Sequence, residues 1–106
     1  MATKQAKLKK DGTRVYNISE SKSRKGDIAE YYAVTWLWDN GYEVFKNAGC
    51  SGPVDMIALK DGKITLIDVK SNTTRMPRSK EQKELGVVFV VFEPETRKLR
   101  WVEHKE

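Results

Sequence analysis

Residues 52–70 read Gly52-Pro53-Val54-Asp55-Met56-Ile57-Ala58-Leu59-Lys60-Asp61-Gly62-Lys63-Ile64-Thr65-Leu66-Ile67-Asp68-Val69-Lys70. Two apolar runs flank Asp61-Gly62, a dipeptide that favours a two-residue hairpin turn. A turn there pairs Lys60 with Lys63, and counting outward places Asp55 directly opposite Asp68. Directly opposed side chains have Cβ atoms about 4.5–5.5 Å apart. The two-residue period of a strand then puts Lys70 on the face of Asp68. The hairpin thus gathers two carboxylates and one ammonium. Most of its other positions are Val, Ile, Leu or Met, as in a half-buried sheet.

Facing carboxylates repel unless something neutralises them. A divalent cation held by hard oxygen ligands would do so. So would a salt-bridged triad with Lys70 that has no chemistry. A register slip would separate the acids altogether. Local geometry leaves these three readings open.

The chain has 106 residues, enough for one small domain with an economical core. No apolar run approaches the roughly 20 residues of a membrane span. The first residues lack the apolar stretch of a secretory signal. Cys50 is the single cysteine, so no intrachain disulfide can form, and a cytoplasmic setting is the expectation. Charge is unevenly spread. Residues 1–25 hold eight Lys/Arg against Asp11 and Glu20, a net of +6, while residues 26–106 carry −1. A basic arm on a near-neutral body suits a polyanion, through phosphate pairing and counterion release. It equally suits a solvated tail that keeps the protein soluble.

Residues 1–23 are expected to form a basic, flexible arm, with some strand character at Arg14-Val15-Tyr16-Asn17-Ile18. Residues 24–106 form the body. Residues 24–40 have helical spacing and end at Asn40-Gly41. Gly26, Glu30, Ala33 and Leu37 share one stripe, which places Glu30 on or beside the inward face. There it either pairs with a lysine or faces the two aspartates. Gly26, Ala29 and Ala33 would let the helix approach the sheet closely. Tyr31, Tyr32, Trp36 and Trp38 are expected in core or interface positions. Residues 42–48 read as a strand, and Gly49-Cys50-Ser51-Gly52 as a small-residue loop. Cys50 has no evident base partner and is not assigned as a nucleophile.

Beyond Lys70, residues 71–78 are polar and basic without apolar period, a loop. Ser79–Leu85 suits a short helix ended by Gly86, from which Gln82 could face the site. Val87–Phe92 is apolar throughout and reads as a strand buried on both faces at the centre of the sheet. Lys98–Val102 alternates as a last edge strand. His104 has no metal-spaced partner and is expected at the surface. The order is helix, three strands, short helix, two strands: an α/β class with a mixed five-stranded sheet flanked by helices.

An acid on the first helix (Glu30), a proline-flanked aspartate (Pro53-Val54-Asp55) and Asp68-Val69-Lys70 on the next strand resemble the PD-(D/E)xK nuclease superfamily, whose core is restriction-endonuclease-like. Within it the chain is most similar to the archaeal-type Holliday junction resolvases. Arg24-Lys25-Gly26 with Glu30 resembles their helix opening. Gly41-Tyr42-Glu43-Val44 with Ala48-Gly49, and Gly86-Val87 through Trp101-Val102, resemble their strands. The likeness covers residues 24–102. The chain departs from the pattern in having Val54 between proline and aspartate, Tyr31 after Glu30, and a short segment at 71–85.

The resemblance implies a metal-dependent endodeoxyribonuclease acting on branched or double-stranded DNA as a homodimer. Asp55 and Asp68 would bind Mg²⁺, or Mn²⁺ in its place, with the Val69 carbonyl as a further ligand. Glu30 would hold a water or a second ion. Lys70 would position the attacking water, and Ser51 would contact the scissile phosphate. Arg24, Lys25, Lys46 and Arg75, with Lys10 and Arg14 in the arm, would bind flanking phosphates. Strand Val87–Phe92 and the aromatics of the first helix are the expected dimer surface. Two other readings are another small nuclease or nickase of homing or restriction type, and a non-catalytic DNA-binding module on a nuclease core.

Overall fold

The computed structural model describes residues 7–8, 14–15, 22–49, 51–71 and 77–104. Nine elements occur in them: β1 (Lys7–Leu8), β2 (Arg14–Val15), α1 (Lys22–Asp39), β3 (Glu43–Lys46), β4 (Met56–Lys60), β5 (Lys63–Ser71), α2 (Lys80–Leu85), β6 (Val88–Glu93) and β7 (Lys98–Trp101). The body is the expected mixed five-stranded sheet, in the order β3-β4-β5-β6-β7. Within the basic arm, β1 and β2 pair antiparallel, Lys7 with Val15 and Leu8 with Arg14. The arm thus holds a short backbone ladder that its lysine-rich composition hides. Lys10 and Arg75, two of the expected phosphate ligands, and Cys50 lie outside the described residues.

The hairpin forms in the expected register, Lys60 opposite Lys63 and Met56 opposite Ile67. Asp61 and Gly62 take φ of 53° and 75°. Both central residues of the turn are therefore left-handed, the conformation whose twist matches the flanking strands. β5 pairs with β6 in parallel, Asp68 beside Phe89 and Lys70 beside Val91. A parallel pair needs a crossover, and the segment containing α2 supplies it.

One helix, α1, covers one face of the sheet. On its inner face Ala29, Ala33 and Leu37 are buried, and Ala33, Val34 and Leu37 pack with Met56, Ala58, Ile67 and Val90. Small residues on the helix bring it close enough for Met56 and Ile67 to fill the gap. The close-approach reading fails at Gly26, where an added Cβ would meet nothing within 4 Å.

β6 lies between β5 and β7, one place from the centre, and its residues from Phe89 to Phe92 are buried. It therefore has no surface to give a dimer. Apolar exposure is elsewhere: Tyr31 and Trp38 on α1, and Phe45 and Ile64 on the strands, are each more than half exposed. Of the four helix aromatics, Trp36 packs against the core with its ring 5.4 Å from that of Trp101 and tilted by 50°, and the Tyr32 ring lies 4.9 Å from that of Phe92.

Candidate active site

Asp55 stands where β4 begins, and there the ladder changes. The pairing of β4 with β5 ends at Met56 and Ile67, so Asp55 is not the ladder partner of Asp68. Instead the Asp55 N–H donates to the Ile67 carbonyl at 2.8 Å, and Asp55 Oδ2 accepts from the Val69 N–H at 2.7 Å. The Asp55 side chain stands in for the next backbone acceptor of β4, and its two bonds bracket Asp68. The preceding Pro53 has no N–H with which to extend the ladder.

The two carboxyls nonetheless meet in a side-chain hydrogen bond. Burial first, then that bond and the charges of Asp68 and Glu30, push Asp55 up from 3.8 to about 7, against the opposing Val69 N–H. The pair therefore holds a proton to near neutrality, because two carboxylates this close cannot both stay charged in a half-buried place.

Asp68 is the more deeply placed acid, 8% exposed. Its Oδ2 accepts from Gln82 Nε2 at 2.7 Å and faces Lys70 Nζ at 3.2 Å. The Lys70 ammonium also lies 5.3 Å from the centre of the Phe89 ring. Along a strand the N–H and C=O of one residue point the same way. The Val69 carbonyl therefore lies on the side of β5 where its N–H meets Asp55.

Glu30 reaches the site from α1. Its Oε1 is 3.6 Å from Lys46 Nζ, and that ammonium lies 4.1 Å from the centre of the Tyr31 ring. Glu30 thus pairs with a lysine while its charge still acts on Asp55. Among the described residues, no group of three or more His, Cys, Asp or Glu is arranged to hold a metal ion. Asp55 and Asp68 form a pair with Glu30 outside it.

Of the remaining expected residues, Ser51 is exposed and its carbonyl accepts from Asn47 Nδ2 at 3.2 Å. Lys25 is exposed near the start of α1. Arg24 makes an exposed ion pair with Asp27 at 3.9 Å. Arg14 contributes its backbone to the β1–β2 ladder.

Two residues at the site carry more than their sequence context signals. Asn47 braces the loop before Asp55: its Nδ2 also donates to the Val54 carbonyl at 2.9 Å, and its Oδ1 accepts from the Gly49 N–H at 2.8 Å. An asparagine ahead of a small-residue loop is the signal for such a brace. Gln82 joins both acid-bearing segments. Its pattern in the sequence, Ser79-x-x-Gln82, is that of a capping box, which both residues form here.

His104 departs from the surface expectation. Its Nε2 accepts from the Phe89 N–H at 3.0 Å and its ring meets the Phe89 ring edge-on at 5.1 Å. Burial, then the Arg78 charge, lower its pKa.

A solved bacterial homing endonuclease, I-Ssp6803I, is similar to this chain with a TM-score of 0.62 at 20% identity, over 77% of this chain and 64% of its own. The fold is that of the restriction-endonuclease-like nucleases, and the chain spans under two thirds of that relative's length. Residues 21–93 match the family described as archaeal Holliday junction resolvase (hjc), and the protein belongs to that family. No curated protein matches the chain. No helix among the described residues is long and apolar enough to cross a membrane.

Proposed function

We propose that the chain is a Mg²⁺-dependent, structure-selective DNA endonuclease that resolves Holliday junctions as a homodimer. The observation that carries this reading is the convergence of Asp55 and Asp68, with Asp55 Oδ2 fixed by the Val69 N–H at 2.7 Å and Asp68 Oδ2 by Gln82 at 2.7 Å and Lys70 at 3.2 Å. A dication held by these carboxyls would neutralise the charge they bring together. The donor set suits Mg²⁺: two carboxylates and the Val69 carbonyl are hard oxygen ligands, sparse enough to leave several positions for water. Mn²⁺ satisfies the same set. Bound there, the ion supplies positive charge for the phosphate oxygens and acidity for the attacking water.

The chain's own groups do the rest. Asp68 is fixed by two donors before substrate arrives. Lys70, ion-paired with that same oxygen, is in place to position the attacking water and to steady charge on the phosphate. Glu30 holds a water on the α1 side, once Lys46 turns from it toward a DNA phosphate. Ser51 lies on the exposed loop that leads to Asp55, where it contacts the scissile phosphate. Lys25, Arg24 and the basic arm bind flanking phosphates without reading sequence.

Two copies of the chain would place two such centres on the arms of a branched DNA. Tyr31 and Trp38 on α1, with Phe45 and Ile64 on the strands, rather than β6, are exposed apolar groups that would serve such pairing. One assay tests the reading: cleavage of labelled four-way, flap and linear DNA with and without Mg²⁺. Paired incisions in the four-way DNA, requiring Mg²⁺, are expected. Equal cutting of all three would make the chain a general nuclease. Binding without cutting would make it a DNA-binding module on a nuclease core.

A further inference from the structure

α2 gives the sheet almost no apolar surface. Among its six residues Lys80–Leu85 only Gln82 is buried, and Leu85 is 49% exposed. A helix this short has no independent stability. Polar bonds around one side chain hold it. Gln82 Nε2 donates to Asp68 Oδ2 at 2.7 Å and to the Pro53 carbonyl at 3.0 Å. Gln82 Oε1 accepts from the Ser79 N–H at 3.0 Å, while its own N–H donates to Ser79 Oγ at 3.1 Å. Those partners settle which way the amide points. Two acceptors require the NH₂ on one side and a donor requires the oxygen on the other.

We infer that Gln82 is a positioning residue of the Asp55–Asp68 centre. One amide ties the strand that carries Asp68 to the segment that carries Asp55, and so sets how far apart the acids stand. Gln82 and Lys70 converge on Oδ2 of Asp68. When Lys70 serves the phosphate, Gln82 remains to hold that oxygen, and the Asp68 carboxylate would keep its orientation for a cation. Its role differs from that of Lys70 because both N–H groups of its amide are already bonded and it has no donor free for a phosphate. The inference rests on the metal-centre reading above.

The test uses the whole chain with Gln82→Met, Gln82→Asn and Ser79→Ala. Met keeps the volume without the amide. Asn keeps the amide one methylene short of spanning both acceptors, and serves if the Met variant does not fold. Ser79→Ala removes the cap of α2 without touching Asp68. Each is titrated with Mg²⁺, followed by the NMR shift of the Val69 N–H, which reports on Asp55. The Mg²⁺ needed for half-maximal cleavage of four-way DNA and the DNA affinity in EDTA are measured alongside. Both Gln82 variants should need at least tenfold more Mg²⁺ in both readouts, with DNA affinity in EDTA within threefold of wild type. Ser79→Ala should lower the thermal midpoint and leave the Mg²⁺ titration within twofold. The inference is overturned by a wild-type titration in either Gln82 variant, or by Ser79→Ala shifting the titration as far as they do. A wild-type chain whose Val69 signal ignores Mg²⁺, as in Asp68→Asn, would bring down the metal-centre reading as well; a normal wild-type response with unaltered Gln82 variants would bring down this inference alone.

Discussion

Asp68 and Glu30 both press negative charge on Asp55, yet the protein holds them by opposite means. Asp68 sits inside the sheet, 8% exposed, with Gln82 and Lys70 donating to one of its oxygens. Glu30 sits on a helix with its side chain 27% exposed, facing a single lysine at 3.6 Å. A buried acid with fixed donors is oriented before any ligand arrives, whereas a part-exposed ion pair contributes little energy and exchanges easily. The inner acid is built for a fixed task and the outer one for an adjustable one. Substitutions at the two positions should therefore differ in kind as well as in size.

The largest effect is expected at the inner acid. Asp68→Asn keeps the shape and removes the charge, so cleavage of four-way DNA should fall by at least ~10³-fold, the scale of removing a group that stabilises the transition state. DNA affinity in EDTA should hold or rise slightly. Glu30→Gln should cost less, on the order of 10- to 100-fold in cleavage, if its task is to hold a water. Single-turnover rates at saturating Mg²⁺ check both. Equal losses would break the contrast between a fixed and an adjustable acid.

Next in size is the pH dependence of stability without metal. Asp55 is held near 7 in the fold, against 3.8 when free. Between these values the folded chain keeps a proton that the unfolded chain has lost. Stability therefore falls as pH rises through this window and levels off above it. Thermal midpoints in EDTA should be higher at pH 5 than at pH 8, and Asp55→Asn should flatten the slope. Adding Mg²⁺ at pH 8 should recover the loss, since binding to the folded chain alone stabilises it. The comparison sharpens here, because Asp68 acts on Asp55 through a hydrogen bond and charge, and Glu30 through charge alone. Asp68→Asn should therefore lower the Asp55 pKa further than Glu30→Gln, read by carboxyl carbon NMR.

Much of this was legible in the chain because short-range rules governed it. Asp61-Gly62 specified the turn, the turn specified the register, and the register brought Asp55 near Asp68. Pro53 and the Val69 N–H then decided how they meet, and neither is visible in a strand pattern. α1 and its small stripe were legible because a sheet needs one covered face, but the depth of Gly26 was not, since spacing gives a direction and no distance. The partner of Glu30 hung on which of several lysines could reach it, a question of rotamers. His104 was unreadable for a related reason. Its partner is a backbone N–H of β6, and backbone groups leave no mark in a sequence. The hairpin register and the helix stripe brought Asp55, Asp68, Lys70 and Glu30 together, whereas their roles came as what the resemblance implies.

A smaller effect is expected at the lysine that faces the outer acid. Lys46→Met removes the Glu30 partner and one cation of the proposed DNA-binding set. The exposed pair is worth about 0–1 kcal/mol, so stability should barely move. DNA affinity should fall about three- to tenfold, and the slope of log affinity against log salt should drop by about one, as for one lost phosphate contact. An unchanged salt slope would leave Lys46 as a counter-charge to Glu30 and nothing more.

The smallest effect separates the two ends of α1's inner stripe. Ala33 and Leu37 are fully buried against the sheet, whereas Gly26, one turn before Glu30, would place a new Cβ in open space. With no neighbour to displace, Gly26→Ala should stabilise the folded chain by roughly 0.5–1 kcal/mol, through helix propensity and the smaller entropy of the unfolded chain. Urea unfolding with an unchanged slope checks it. Cleavage and DNA affinity measured on the same variant then tell what Gly26 is for. If stability rises and both activity and DNA affinity hold, the glycine is incidental. If stability rises while DNA affinity falls, the bare backbone at Gly26 is where the duplex comes closest to the outer acid, and the adjustable side of the site is also its substrate side.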